Sequence, residues 1–301
     1  TINKPMSIRA NYLHHSMHGN YNLIEENYHN AHQHFSAAFQ IYKSRPELVE
    51  QNFGEYFGAL RNMIIVASSL KKYNEGIEYI QELKSLEKKI PAQVNTELMR
   101  VRIFAVQYIY ELDINIHMGN FARGLSIVPE IENGLMKYKN KMNTIHTTTL
   151  YYNISIVYFA NNNYSKSLFW LNKILNEPEI AIVPHMHYFS QMFNLIIHYE
   201  LDNMDLLEHI AKSTYRFLYK RNRLYKLESC ILNFIRKKVP QIITNAKQVI
   251  AFHELKTELE EITRDPFEKK ALEYFDFISW VESKIEDRPF AEIVQEKAGK
   301  G

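Results

Sequence analysis

Six histidines crowd the start of the chain: His14, His15, His18, His29, His32 and His34. His14 and His18 lie one helical turn apart, a spacing that puts two imidazoles on one side of a helix, where they can grip a metal ion. The rest of a metal site is missing from the pattern. No glutamate stands in the HExxH register, and no cysteine or carboxylate pair completes a ligand set. Solvated or hydrogen-bonded imidazoles are therefore expected, and the same holds for His185 and His187. An enzyme built on the histidine cluster is the reading that a metal assay would test.

A second chemistry-bearing stretch is basic. Residues 212–238 hold Lys212, Arg216, Lys220, Arg221, Arg223, Lys226, Arg236, Lys237 and Lys238 against Glu228 alone, a balance of +8 across 27 residues, with Tyr215, Phe217, Tyr219 and Tyr225 interleaved. Arg216, Lys220, Arg221, Arg223 and Lys226 form its centre. Such a stretch can hold a phosphate backbone and stack bases, or grip an acidic peptide. It can equally be the solvent face of packed helices, balanced by Glu254, Glu258, Glu260 and Glu261, and that is the expectation. The formal charge of the whole chain, +2, argues against a nucleic-acid binder.

Cys230 lies among Leu227, Ile231, Leu232 and Phe234 at helical spacing and reads as a small buried hydrophobe. It is the one cysteine of the chain, so no intrachain disulfide forms, which fits a reducing, cytoplasmic setting. There is no Gly-rich phosphate loop, no GxSxG elbow and no acid–base pair. Neither catalysis nor a cofactor is expected. No apolar run approaches the roughly 18 residues of a membrane helix. No signal peptide is visible, and residue 1 is Thr rather than Met.

The elements that would position these groups are helical. Only 9 Gly and 9 Pro punctuate 301 residues, and the 20 Tyr and 17 Phe recur at helical rather than alternating spacing. The clearest stretch is Leu150–Glu179. Tyr151, Ile154 and Tyr158 mark one apolar face of a helix, and Tyr152, Ile156 and Phe159 a second, so this helix must be covered on more than one side. Asn161-Asn162-Asn163 ends it. Leu168, Leu171, Ile174 and Leu175 stripe the next helix, and Pro178 stops that one. Long helices are also expected over 33–43, 47–70 and 92–118, with Pro46 and Pro91 near helix starts.

Five short turns look alike: 19–21, 72–74, 119–121, 162–164 and 202–204. Each offers a helix stop, a polar cap and a large apolar residue entering the next helix. Their anchors, Tyr21, Tyr73, Phe121, Tyr164 and Met204, are 52, 48, 43 and 40 residues apart. On these features the chain resembles the tetratricopeptide-repeat family, whose unit is about 34 residues in two antiparallel helices. In the 148–179 unit, Tyr151, Ile154, Ser155, Tyr158, Tyr164, Ser167, Leu171 and Ile174 fall on the family's signature positions. The 57–88 unit matches through Leu60, Met63, Tyr73, Gly76, Ile80 and Leu83. The 105–136 unit matches through Tyr108, Leu112, Phe121, Gly124, Val128 and Ile131, with Pro129 expected to kink or interrupt its second helix. The 188–219 unit is degenerate. The aromatic-rich, Asn-rich style is also similar to bacterial repeat proteins of the Bacteroidetes type.

The resemblance implies an all-α fold, an αα-hairpin solenoid forming a right-handed superhelix over residues 1–221. Residues 222–301 are expected to continue it as capping helices over 224–238, 241–263 and from 265 onward, ending in a frayed tail at 298–301. It further implies a non-catalytic scaffold that binds a protein or peptide segment in a concave groove lined by the first helix of each pair. Carried over by position, the groove takes Arg61, Ile65 and Ser68, then Ile109, Asp113 and His117, then Tyr152, Ile156 and Phe159, then Met192, Ile196 and Tyr199. The alternative is that long helices or the C-terminal segment fill the groove. A second reading makes the chain the repeat module of a bacterial regulator that controls a signalling or nucleic-acid-binding domain. Association between copies of the chain stays open.

Overall fold

The computed structural model describes residues 7–176 and 184–300. Among these residues every regular element is helical, and no helix is long and apolar enough to cross a membrane. The first ten α-helices follow in pairs: α1 (Ile8–Ile24) and α2 (Tyr28–Lys43), α3 (Phe53–Ser69) and α4 (Tyr73–Leu86), α5 (Thr96–His117) and α6 (Phe121–Lys137), α7 (Thr144–Ala160) and α8 (Tyr164–Leu175), α9 (Pro184–Glu200) and α10 (Met204–Lys220). Five more complete the chain: α11 (Lys226–Asn233), α12 (Asn245–Ile262), the short α13 (Pro266–Lys269), α14 (Phe277–Glu286) and α15 (Phe290–Lys300).

One turn chemistry joins each pair. Glu26, Lys71, Gly119, Asn162 and Asp202 all take left-handed backbone, with φ between 56 and 69°. The amide of the next residue then reaches back five residues, as in Asn27 N–H to Asn22 O at 2.8 Å and Asn163 N–H to Tyr158 O at 2.9 Å. This satisfies carbonyls that the helix end would leave orphaned. Four of these turns lie where the sequence places them. The first does not: α1 runs through Gly19-Asn20-Tyr21 and turns at Glu26, so Tyr28 is the true anchor. Gly19 is needed for packing instead, because a Cβ there would lie 2.4 Å from Phe35 Cε1.

Other boundaries also shift. Pro46 opens a single 3-10 turn before α3, and α5 starts at Thr96, five residues beyond Pro91. Pro129 lies inside α6 without ending it. The helix expected from residue 265 is broken at Phe275-Asp276, where the Asp276 carboxylate accepts the Ser279 amide at 2.9 Å and caps α14. The tail is helical to Lys300 rather than frayed. Pro178 lies outside the described residues.

The chain forms two compact units. The first holds residues 1–114 and 130–143; the second holds 115–129 and 144–301. Their division thus falls within α5 and α6, whereas the sequence reading divides repeats from cap at residue 221.

In the first unit the core is built from Ala31, Phe35, Ala38, Phe39, Leu60, Met63, Ala67, Ile80 and Leu83. Carboxylates link its helices. The Tyr42 hydroxyl donates to Glu55 and the Tyr56 hydroxyl to Glu82, while Tyr108 Oη donates to Glu130 at 2.7 Å. In the second unit α7 and α8 cross at two buried serines. Each serine hydroxyl donates to the other's carbonyl, both at 2.8 Å. The α11–α15 segment packs into the same core as α7 and α9. Glu200 ties α9 to α14, accepting from Trp280 Nε1 at 2.7 Å and Lys284 Nζ at 2.6 Å.

Candidate functional site

The residues carried over as a groove divide by unit. In the second unit Tyr152, Ile156, Phe159, Met192 and Ile196 are all buried, none more than 4% exposed. Phe159 meets Phe193, Phe275 and Phe290, with ring centroids 5.2–5.5 Å apart. Tyr199 packs on Phe252 and Trp280. His117 is exposed at the end of α5. The two apolar faces read on α7 are thus both used internally, and the chain's own C-terminal helices occupy the face expected to meet a peptide. The cavity beside His117 and Ile156, bounded by Tyr274 and Phe290, holds about 200 Å³, below the size of an ordinary ligand pocket.

In the first unit the corresponding face reaches the surface. Arg61 is exposed, and Ile65, Ser68, Ile109 and Asp113 are half-buried. Ser68 Oγ donates to Asp113 Oδ2 at 2.7 Å, which links α3 to α5. The Arg61 guanidinium donates to Asn62 Oδ1 at 3.0 Å, so its head group is held by the side chain of its own neighbour. Burial pushes the Tyr110 hydroxyl up to about 12; Asp113 raises it further and Arg61 opposes the rise. Tyr73 is also raised, by burial and then by Asp113. One carboxylate, one guanidinium and two phenols therefore share this face with Ile65 and Ile109. Tyr110 and Asn62 were not picked out from the sequence. Tyr110 is three residues before Asp113, a spacing that puts the two on one side of α5, which is the signal that could have found it.

The early histidines do come together. The rings of His14 and His18 are 4.5 Å apart, those of His18 and His34 are 5.1 Å apart, and His15 Nδ1 lies 3.3 Å from His34 Nδ1. Among the described residues, no three side chains of metal-binding type are arranged about one point. His15 and His34 are both held below the ordinary imidazole value, first by burial and then by the neighbouring imidazoles. His32 instead faces Glu75 at 3.5 Å. His29 stands exposed.

The basic stretch spans α10, α11 and a π-helical turn at Phe234–Lys238. The acids expected to balance it are engaged elsewhere in part: Lys238 pairs with Glu254 at 2.8 Å, but Lys256 takes Glu260 at 3.7 Å and Arg264 takes Glu261 at 2.8 Å. Arg221 lies over the Phe217 ring, 4.0 Å from its centroid. Cys230 is buried, as expected, and burial followed by the nearby Glu258 holds its thiol well above the usual thiol range. A thiol so held is a poor nucleophile.

No family model matches the chain, and no curated protein matches it significantly.

Proposed function

We propose that the five hairpins are tetratricopeptide-type repeats and that the chain is a non-catalytic scaffold binding a protein or peptide segment, with the first unit as the binding part. The observation that carries this is the Ser68–Asp113 hydrogen bond between α3 and α5, with the exposed Arg61 and the half-buried Ile65 and Ile109 on the same two helices. Asp113 fixed by a hydroxyl can accept a peptide N–H or a basic side chain, and Arg61 can take a carboxylate in a two-point hydrogen bond. Apolar side chains together with a cation and an anion suit a short segment with an acidic and an apolar residue.

The test is selection of a random peptide library on the full chain. Wild type is expected to enrich a consensus containing an acidic residue, and Arg61→Ala together with Asp113→Ala to lose it while far-UV circular dichroism stays unchanged. Enrichment that survives the double substitution contradicts the reading.

A further inference from the structure

We infer that the exposed face of α10 and the adjoining π-helical turn is a binding surface for single-stranded nucleic acid. Three observations carry this, all within the second unit.

The first is unpaired charge. Arg216, Lys220, Arg223 and Lys237 are exposed, and among the described residues none of them makes an ion pair. On the same stretch Lys212 and Lys238 are taken by Glu208 and Glu254, so the surrounding acids have been used and these four have not. Surface cations that no carboxylate neutralises retain their attraction for a polyanion.

The second is the disposition of aromatic rings. Tyr215 and Tyr219 are one helical turn apart, their planes within 8° of parallel and their centroids 6.0 Å apart. Tyr219 is 64% exposed and Tyr215 36%. Both rings are therefore open to solvent and to a ligand. Flat rings repeated along a basic helix give bases a surface on which to stack, and stacking tolerates any sequence because every base has a π face.

The third is continuity. The Arg236 guanidinium lies over Tyr215, 5.5 Å from its centroid. This brings the π-helical turn, with Lys237, alongside α10. Arg223 lies over Tyr188 and donates to Tyr225 Oη at 3.2 Å, which fixes it at the end of α10. Cations thus flank the tyrosines instead of being scattered along the chain. An acidic peptide would satisfy the cations, but it has no use for two parallel exposed rings; this is what favours nucleic acid. The whole-chain charge of +2 does not oppose the assignment, because the phosphate attraction is set within a Debye length of the surface.

The experiment uses the full chain and a fluorescein-labelled twenty-residue oligothymidylate, read by anisotropy, with a labelled polyglutamate peptide as comparator. Binding is expected at low salt, weakening as salt rises with a logarithmic slope of about −3, the value for four phosphate contacts on a single strand. Arg216→Gln with Lys220→Gln is expected to reduce that slope by about 1.4. Tyr215→Ala with Tyr219→Ala should weaken binding about 30-fold at unchanged slope, whereas Tyr215→Phe with Tyr219→Phe should retain it. Lys88→Gln with Lys89→Gln, in the first unit, should change nothing. All these positions are at the surface, and unchanged circular dichroism certifies the fold. Absence of oligonucleotide binding at low salt overturns the proposal. So does polyglutamate binding of equal strength with no effect of the Tyr→Ala pair, which assigns the face to an acidic protein.

Discussion

In the first unit, tyrosine hydroxyls reach across to carboxylates on the next helix: Tyr42 to Glu55, Tyr56 to Glu82, Tyr108 to Glu130. In the second, the corresponding helices meet through rings, with Phe159 at the centre of Phe193, Phe275 and Phe290. The difference follows from what covers each one. Helix α7 is buried along most of its length, with helices on several sides, and its Ser155 is satisfied inside by Ser167. In the first unit Tyr42 and Tyr56 are buried as well and Tyr108 is half-buried, but each hydroxyl reaches a carboxylate as its acceptor, as a buried hydroxyl must. The consequence is functional. Interlocked rings fill the face of α7 expected to meet a peptide, whereas a face ending in hydroxyls, carboxylates and a guanidinium can exchange its partners.

The largest effect that could break this comparison is Phe159→Ala. It removes a ring contacted on at least three sides and should cost about 3–5 kcal/mol. Both tryptophans, Trp170 and Trp280, belong to the second unit, so urea unfolding followed by tryptophan fluorescence reads that unit alone. A loss under about 1 kcal/mol would mean that the face is loosely filled. Next comes Tyr56→Phe, which deletes one hydroxyl donated to Glu82. A hydrogen bond to a charged group is worth about 1.5–3 kcal/mol. Glu82 keeps Lys43 at 2.7 Å, so the lower end of that range is expected, read by far-UV circular dichroism with no change in the tryptophan transition.

The smallest effects, but the sharpest contrast, are in pH. His15 and His34 hold their protons less well folded than unfolded, because of burial and then of the neighbouring imidazoles, His14 and His18 among them. The unfolded chain therefore takes up more protons as the pH falls through 6.5, and the first unit loses stability on acidification below that value. Glu228 behaves oppositely. Burial, followed by Glu268, pushes its carboxyl up to about 7 from the ordinary 4.5, despite the amides it accepts. Folded protein then binds the extra proton, so the second unit loses stability as the pH rises from 4.5 towards 7. Glu228→Gln should flatten the tryptophan-monitored profile in that window, and His15→Gln with His34→Gln the circular dichroism profile near 6. Parallel slopes in the two units would remove the contrast.

Much of this was legible in the residues. Four of five turns could be placed, because a left-handed residue followed by a polar cap and a large apolar residue is a local signal that needs no tertiary information. The fifth failed because Gly19-Asn20-Tyr21 carries the same letters as a turn, while Gly19 is small for the sake of Phe35. Phe275-Asp276 broke an apparently continuous helix through a cap whose strength the apolar stripe had concealed. The two apolar faces of α7 announced that it would be covered, but not by what. Part of its cover, Phe275 and Phe290, comes from residues more than a hundred positions later, and periodicity carries no information at that range. The acids of α12 were expected to neutralise the basic stretch on grounds of charge alone; where each side chain points decided otherwise.

The most direct test of the account compares Ile65 on α3 with Ile156 on α7, one on the first helix of a pair in each unit. In a Cys230→Ser background, Ile65→Cys and Ile156→Cys are each exposed to a water-soluble thiol reagent under native conditions. The account predicts fast labelling at position 65 and labelling at position 156 slowed at least about a hundredfold, limited by opening of the second unit. Equal rates, or faster labelling at position 156, would contradict it.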